Sequence, residues 1–565
     1  MISLEIFTEQ AEYIPDDSFK RWTITHHEES TVIKKLSHGG AKLITGPRGC
    51  GKTTLMLKAY NRMIKNQALS TFPVYVNFKS SLKLEPLYRN NANAAYWFNQ
   101  WLLFKVLQGI YKSLSDLSNT GSIAEFSSDQ TNNIVNMLEL GRIDNVTELG
   151  GKLNVLVLEQ VISRVIAATN KNRCVLLLDD AGHAFSSEQQ HDFFEFFREI
   201  KTKEISPKAA IYPGVTTYSS SFHVGHDAEE IDVWLKPSAS GYLDFMHAIL
   251  QSRLSDSVYQ HICRDKYLLD LMCYAAYGIP RALLNMISKF VKDDVNSDEQ
   301  DAANIRLEHQ SVLRAIKDNF NTTYQIYDSL KVKLPMYSLF VDVGASFYEK
   351  CLTLNKTFNK GGSVDKQSSV IAIKRPLSSE LSKVIGFFQY AGLIAPQGIS
   401  SRGGKGVYEL YELHYSAIID RNVFFSSRGI SAENYCLAFV SRPSHHYPRH
   451  TEQGILGRND VSSLFSLALP PCEVCNAPRV SEEAKFCAKC GAKLKDASIF
   501  ESIVSQSVSS LPITAARARS ITEHSRIRTI KDVLMDYENR ELRSVHMIGP
   551  VWAQRIRSYA EEFIA

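Results

Sequence analysis

The chain has no apolar run approaching the eighteen or so residues that cross a bilayer. Its start, Met1-Ile2-Ser3-Leu4-Glu5-Ile6, has no basic segment leading into an apolar one. Neither a membrane span nor a secretory leader is expected, and the expected compartment is the cytoplasm. An excess of one charge is also missing: 64 Lys and Arg against 60 Asp and Glu leave a formal +4, too little to argue for nucleic acid on bulk electrostatics. Any such contact must be local. A disulfide framework is absent as well, since Cys50, Cys174, Cys263, Cys273, Cys351 and Cys436 are scattered, whereas Cys472, Cys475, Cys487 and Cys490 form two close pairs of the kind that hold a metal in a reducing compartment. What remains is a globular composition, 44% hydrophobic and 22% charged over 565 residues, too long for one core and so expected to be modular.

The stretch that organises the chain is Gly46-Pro47-Arg48-Gly49-Cys50-Gly51-Lys52-Thr53, with Thr54 after it. The apolar run from Ala41 to Ile44 precedes it and a helical pattern follows. A glycine-rich loop between strand and helix can aim successive N–H groups at an anion at the helix N-terminus. Gly46 to Thr54 are therefore the expected nucleotide-binding residues, with Lys52 reaching the β- and γ-phosphates and Thr53 holding Mg²⁺. The competing reading, a glycine turn before an ordinary helix, does not account for the full pattern in this context. Phe72 to Phe78 reads as a second buried strand.

Cys174-Val175-Leu176-Leu177-Leu178 reads as a strand buried on both faces, ending in Asp179 and Asp180 at the crevice where ligands bind in such sheets. Asp179 would hold Mg²⁺ through water and Asp180 would orient the attacking water; the alternative is that the pair only caps the segment after it. Ser187 opens a helix rich in phenylalanine. Arg198, Lys201 and Lys203 close it, either as a solvated helix end or as a finger toward a neighbouring subunit's nucleotide. Ala209 to Gly214 reads as a further strand. Thr217, or Thr216, stands beyond it either as a polar sensor of the γ-phosphate or as a turn residue. Gly278-Ile279-Pro280-Arg281 ends one helix and starts the next, and Arg281, a cation in a first turn, calls for an anionic partner.

These motifs resemble, in order and spacing, the origin-recognition and replication-initiator branch of AAA+ ATPases, whose relatives include STAND-type signalling ATPases. The resemblance spans about residues 20–295. It implies an αβα base, a helical lid from about residue 236, ATP between them, and Lys52, Asp179, Asp180, Thr217 and Arg281 in the catalytic and sensing roles. Asp180 where relatives carry Glu, the long stretch before Asp179 and the lack of an assignable arginine finger depart from the pattern. They bear on hydrolysis rate and oligomer geometry.

Farther on, a helix over Ser378–Tyr390 precedes a hairpin whose tip holds Arg402, Gly403, Gly404, Lys405 and Gly406. This is a winged-helix outline similar to the module after the lid in initiator ATPases, in which the helix enters the major groove and the wing, here Arg402 and Lys405, grips phosphate; a plain flexible hairpin is the other reading. Residues 431–470, with His445, His446 and His450, read as a linker. Cys472-x₂-Cys475-x₁₁-Cys487-x₂-Cys490 resembles a zinc ribbon, four thiolates closing a structural Zn²⁺ site; an iron–sulfur cluster is the minor alternative. Residues 511–563 resemble the helix-hairpin-helix C-terminal domain of the bacterial RNA polymerase alpha subunit. Met547, Pro550, Val551 and Trp552 favour a protein-binding face there, while Arg517, Arg519, Arg555 and Arg557 favour the DNA backbone.

The expected fold is thus an α/β P-loop NTPase (AAA+ base 1–235, helical lid 236–300), a winged-helix-like domain 301–430, the linker, a zinc ribbon 471–496 and an all-α helix-hairpin-helix domain 497–565. The expected function is an ATPase switch using ATP, Mg²⁺ and Zn²⁺ that couples nucleotide state to double-stranded DNA and to assembly as a homo-oligomer. The alternative is a signalling or antiviral-defence ATPase whose C-terminal modules bind protein partners. A scaffold with a vestigial nucleotide site is a third reading.

Overall fold

The computed structural model describes residues 6–564 except 9, 67, 80–83, 85–93, 119–125, 140–152, 182–186, 292–304, 426–429, 443–444, 459–463, 468, 470, 473, 481–483, 485, 493 and 495–502. The boundaries expected at 300/301 and 496/497 lie outside the described residues. By its own packing the chain divides into two units. One comprises residues 30–45, 55–232 and 469–565, the other 1–29, 46–54 and 233–468.

The first unit holds a parallel five-stranded sheet: β1 (Lys42–Thr45), β2 (Thr71–Asn77), β3 (Arg173–Asp179), β4 (Ile205–Ala210) and β5 (Glu229–Asp232), in the order β2-β3-β4-β1-β5. β3 is buried from Cys174 to Asp179, and Leu176, Phe72, Val74, Trp101 and Phe193 share one core, the two-sided burial that a continuous apolar run requires. The helix Ala94–Asp116 comes close to β2 at Gly109, where a Cβ would lie 2.9 Å from the Tyr75 carbonyl oxygen. Only a glycine allows that approach.

β4 corrects the sequence reading. The strand is Ile205–Ala210, not Ala209–Gly214, and it is buried throughout although it carries Ser206, Pro207 and Lys208. Lys208 is fully buried. Its Nζ donates to the Gly40 carbonyl. Burial first, then the charges of Lys42 and Arg173, push its pKa down to about 7. Because the unfolded chain keeps Lys208 protonated to about pH 10.4, it binds more protons than the folded chain between pH about 7 and 10.4, so this residue makes stability rise with pH across that window and contribute nothing further below it. We expect the pH 7 to 9.5 rise in melting temperature to shrink in Lys208→Met, a neutral side chain of similar length. Wild-type and variant melting curves differing by a pH-independent offset alone would contradict this.

The second unit contains the helices Tyr242–Arg253, Lys266–Ala275 and Pro280–Ile287, then His309–Asp328 and Ser338–Asn359. These precede a second sheet of β6 (Val370–Lys374), β7 (Ile394–Ser401), β8 (Val407–Leu413) and β9 (Arg449–His450), in the order β7-β8-β6-β9. β6 and β7 pair antiparallel with β8, and β9 runs parallel to β6.

Two expectations change here. The helix before the hairpin, Ser379–Ala391, buries Leu381, Val384, Ile385, Phe387, Phe388, Tyr390 and Ala391, leaving only Ser379 and Ser382 exposed. Its apolar side chains fill a core and cannot line a DNA groove. Residues 431–470 are not a bare linker either. The helix Ala432–Ser441 buries Tyr435, Cys436, Ala438 and Phe439, and Phe439 stacks on Tyr415 with ring centroids 3.9 Å apart. Glu452 is buried and accepts from the Ser378 N–H at 3.0 Å, capping the helix before the hairpin. His446 packs on Phe358 and His450 lies within β9.

In residues 469–565 the Cys pairs are followed by the helices Ala515–His524, Ile530–Met535, Arg540–Ser544 and Pro550–Ile564 around Ile521, Ile530, Val533, Leu542, Ile548 and Ile556. Thr529 and Asp532 close a reciprocal capping box on the second of these. Arg557 donates to the carbonyls of Asp536 and Leu534 and pairs with Glu561, so it serves the local fold. No helix among the described residues is long and apolar enough to cross a membrane.

Candidate nucleotide and metal sites

β1 runs into the phosphate loop, and the loop into the helix Lys52–Lys65. Gly46, Gly49 and Gly51 have φ of +155°, +83° and +101°; at Gly49 and Gly51 a side chain would be strained, so the glycines permit the turn. A Cβ on Gly51 would meet nothing within 4 Å, whereas one on Gly49 would lie 3.1 Å from Ile279 Cγ2 and 3.7 Å from Arg281 Cβ. The loop therefore packs on the Gly-Ile-Pro-Arg turn and keeps open space at Gly51. Lys52 is buried, and its Nζ donates to the carbonyls of Gly46 at 2.8 Å and Pro47 at 3.1 Å.

The turn facing the loop is itself tightly specified. Pro280 occupies the first turn of its helix with Arg281 next. Gly278 has φ +75°, and a Cβ there would stand 1.9 Å from the Leu235 carbonyl oxygen. Trp234 Nε1 donates to the Tyr277 carbonyl at 2.9 Å. The backbone N–H of Arg48, inside the loop, donates to the Tyr390 carbonyl at 3.0 Å. Gly392, which ends that helix, leaves room beside Pro47 and Ile279. Sequence reasoning missed Ile279 and Tyr390 as neighbours of the loop, because nothing in a linear pattern joins positions so far apart.

In the other unit Asp179 and Asp180 end β3, both buried. Tyr75 donates to Asp179 Oδ2 at 2.9 Å and the Asp180 N–H to Asp179 Oδ1 at 3.0 Å. Tyr212 donates to Asp180 Oδ1 at 3.3 Å, and Asp180 has φ +57°. A non-glycine residue in that region is held by its surroundings. The Thr216 hydroxyl accepts from the Tyr212 N–H at 2.9 Å, which makes it a turn residue, and the Thr217 N–H donates to Gln190 Oε1. Arg198 pairs with Glu195 at 3.0 Å and Lys201 donates to the Asp227 carbonyl at 2.7 Å, so both have local partners, as a helix end would.

Each unit is suited on its own: the Asp179 carboxylate is a hard oxygen ligand of the kind Mg²⁺ takes, and the loop's backbone, with the Thr53 hydroxyl, suits phosphate and its cation. The residues present fit both groups. The four sulfurs of Cys472, Cys475, Cys487 and Cys490 lie within 4.8 Å of one another, with Cys472 to Cys490 and Cys475 to Cys487 both at 3.5 Å. Zn–S bonds of about 2.3 Å in a tetrahedron put sulfurs about 3.8 Å apart, so the cluster fits zinc. Backbone N–H groups of Cys490 and Lys489 hold the Cys487 thiol down to about 6, and those of Cys475 and Val474 lower Cys472.

A parallel sheet whose first strand enters a phosphate loop, with β4 between that strand and the carboxylate-bearing β3, defines an α/β P-loop fold. No protein-family model matches the chain, and no curated protein does. Among solved structures, the Walker-type ATPase of Pyrococcus abyssi is 12% identical over 71% of this chain and 96% of its own, with a TM-score of 0.37. The Aeropyrum pernix Orc1 protein, solved in complex with DNA, is 12% identical over 74% and 95%, with a TM-score of 0.27. Cdc6p of Pyrobaculum aerophilum is 12% identical over 74% and 97%, also at 0.27. At such scores these likenesses carry no weight in assigning a function, which rests on the residues of the site.

Proposed function

We propose that the chain is an ATP-hydrolysing switch of the AAA+ initiator kind, whose nucleotide state governs its assembly and its hold on double-stranded DNA. One observation carries the reading: a complete phosphate loop, turned by left-handed glycines and packed on Ile279 and Arg281. Residues Gly46 to Thr54 would bind the phosphates, with Lys52 as the loop's cation. Thr53 and Asp179 would hold Mg²⁺, which supplies charge neutralisation on the phosphates. Asp180, steadied by Tyr212, would orient the attacking water, and Arg281 and Thr217 would report the γ-phosphate. The roles follow the expected division into base (1–235), lid (236–300), hairpin domain (301–430), zinc ribbon (471–496) and terminal helical domain (497–565), with the stretch 431–470 joined to the hairpin domain's sheet.

A second reading is favoured by the Arg48 to Tyr390 hydrogen bond. It ties the phosphate loop to the helix before the hairpin, as suits a signalling ATPase whose nucleotide gates a protein partner. The deciding experiment is ATP hydrolysis by the purified chain with and without duplex DNA. Turnover several-fold faster on DNA is expected; turnover and assembly indifferent to DNA would transfer the reading to the signalling alternative.

A further inference from the structure

At the end of the parallel sheet remote from Asp179, cations gather around the segment Gly39–Gly40 that leads into β1. β1 lies between β4 and β5, in a register that sets Lys42 beside Lys208 on one side and Glu229 on the other. A Cβ on Gly39 would collide with Arg173 Nη1, so the guanidinium lies directly on this backbone, and a Cβ on Gly40 would stand 3.6 Å from Lys42 Nζ. Lys208 Nζ donates to the Gly40 carbonyl, and the Gly40 N–H donates to Ser206 Oγ at 3.1 Å. Gly40 is exposed and Arg173 half-buried. Three cations from three neighbouring strands therefore meet at one glycine that solvent reaches.

Charge around that glycine is not balanced. Glu229 is shared by Lys35, at 2.7 Å, and Lys42. Among the described residues the Arg173 guanidinium has no hydrogen bond or ion pair, and the fully buried Lys208 ammonium meets only a neutral carbonyl. Buried cations ordinarily have a counter-charge, since leaving water uncompensated is unfavourable. An ordinary solvated patch would need no ligand, but water does not reach Lys208, and a side chain at position 39 would exclude the guanidinium from its place. Out of water, the Lys208 charge acts on a neighbouring anion with less screening. A phosphate group suits the arrangement: the guanidinium fork matches paired oxygens, and Lys42 adds a point charge beside it.

We propose that Arg173 and Lys42, with Lys208 behind the Gly40 carbonyl, form an oxyanion site that takes a phosphate group, either free phosphate or the phosphoryl end of a small molecule. β3 runs from Arg173 to Asp179, which puts about 20 Å between this seat and the carboxylate at the other end of the strand. The seat is therefore separate from the carboxylates that end β3, and it stands whether or not the chain hydrolyses ATP. Its three cations belong to β3, β1 and β4, the three central strands of the sheet. One bound phosphate ties them together.

The test follows the melting temperature of the full chain in inorganic phosphate from about 0.1 to 10 mM, with chloride holding the ionic strength at about 150 mM. A ligand of the folded state alone raises the melting temperature as its concentration passes the dissociation constant. Wild type and Lys52→Ala should both show the rise, because Lys52 belongs to the phosphate loop. Arg173→Gln should need about tenfold more phosphate for the same rise. Its guanidinium has no partner to lose, so the fold should be unaffected. Gly39→Ala keeps every charge but displaces the guanidinium, and it should weaken the response as well. Pyrophosphate that binds Lys52→Ala more tightly than phosphate does, and depends on Arg173, assigns the seat to the phosphoryl end of a larger molecule; equal or weaker binding assigns it to free phosphate. A rise kept in Arg173→Gln and lost in Lys52→Ala places the phosphate in the loop and overturns the proposal. No rise above the chloride background in the wild type overturns it too, and so does an equal rise in wild type, Arg173→Gln and Gly39→Ala.

Discussion

Lys52→Ala is expected to lower ATP turnover by about a hundredfold to a thousandfold, the scale seen when one preorganised charge stabilising a transition state is removed. The side chain is buried, and its Nζ is held by the carbonyls of Gly46 and Pro47. An ammonium kept dry at that place interacts with phosphate far more strongly than one in water, and little reorganisation is needed when charge develops. The fold should tolerate the change. Two hydrogen bonds within one loop are worth about 1 to 3 kcal/mol together, against cores that span both faces of the sheet. Turnover should therefore collapse while the melting temperature moves by a few degrees. Lys52→Arg separates charge from shape: if charge alone mattered it would restore activity, but a planar guanidinium cannot reach two carbonyls and a phosphate from that position, so little rescue is expected. Undiminished turnover in Lys52→Ala would mean that the hydrolysis measured comes from another site or a contaminant, and the ATPase reading would have no support.

The parts of this site that can be read from the sequence are those carried by neighbouring residues. The phosphate loop, the apolar run into Asp179 and the cysteine spacing each lie within one short segment, so local chemistry suffices to see them. Partners that come from other strands are not visible in this way. Tyr75 reaches Asp179 because β2 pairs with β3 in a register that sets Asn77 opposite Asp179, and no periodicity announces a register. β4 escapes the sequence pattern because Ser206-Pro207-Lys208 offends every strand preference; the strand forms because β3 and β1 cover it from both sides, with Lys208 bonded to Gly40. The stretch 431–470 resembles a linker for its polar residues and histidines. It folds because Tyr435 and Phe439 find an aromatic cluster with Phe424 and Tyr415 that lies elsewhere in the chain. The helix Ser379–Ala391 shows the converse: its amphipathic pattern is legible, but which neighbours claim its remaining faces is not, and helices and the hairpin claim nearly all of them.

Stripping the metal from the four-cysteine cluster should unfold residues 471–494 while leaving the phosphate-loop function measurable. Among the described residues of this segment the buried hydrophobic side chains are Cys472 and Cys487, whereas Val474, Val480 and Phe486 are 74%, 77% and 63% exposed. Apolar burial at about 25 cal/mol per Å² has almost nothing to act on there. The hydrogen bonds between Cys472 and Ala477 and between Cys487 and Ala492 shape two turns but do not join them. Four thiolates on one ion do join them, and structural zinc in so small a module supplies about 10 kcal/mol or more at neutral pH. Purified chain should carry one zinc, and Co²⁺ in its place should give the absorption of a tetrahedral thiolate site, which an iron–sulfur cluster would not. Cys487→Ser should lose the metal and expose the segment to protease. Since backbone N–H groups hold the Cys487 thiol down to about 6, it should be the first to engage the ion. Every thiol must lose its proton to bind, so zinc affinity should fall progressively as the pH is lowered. A chain that resists protease equally with and without metal would show that the two turns are held by something other than the ion, and the ribbon would then have to be a surface on a larger core.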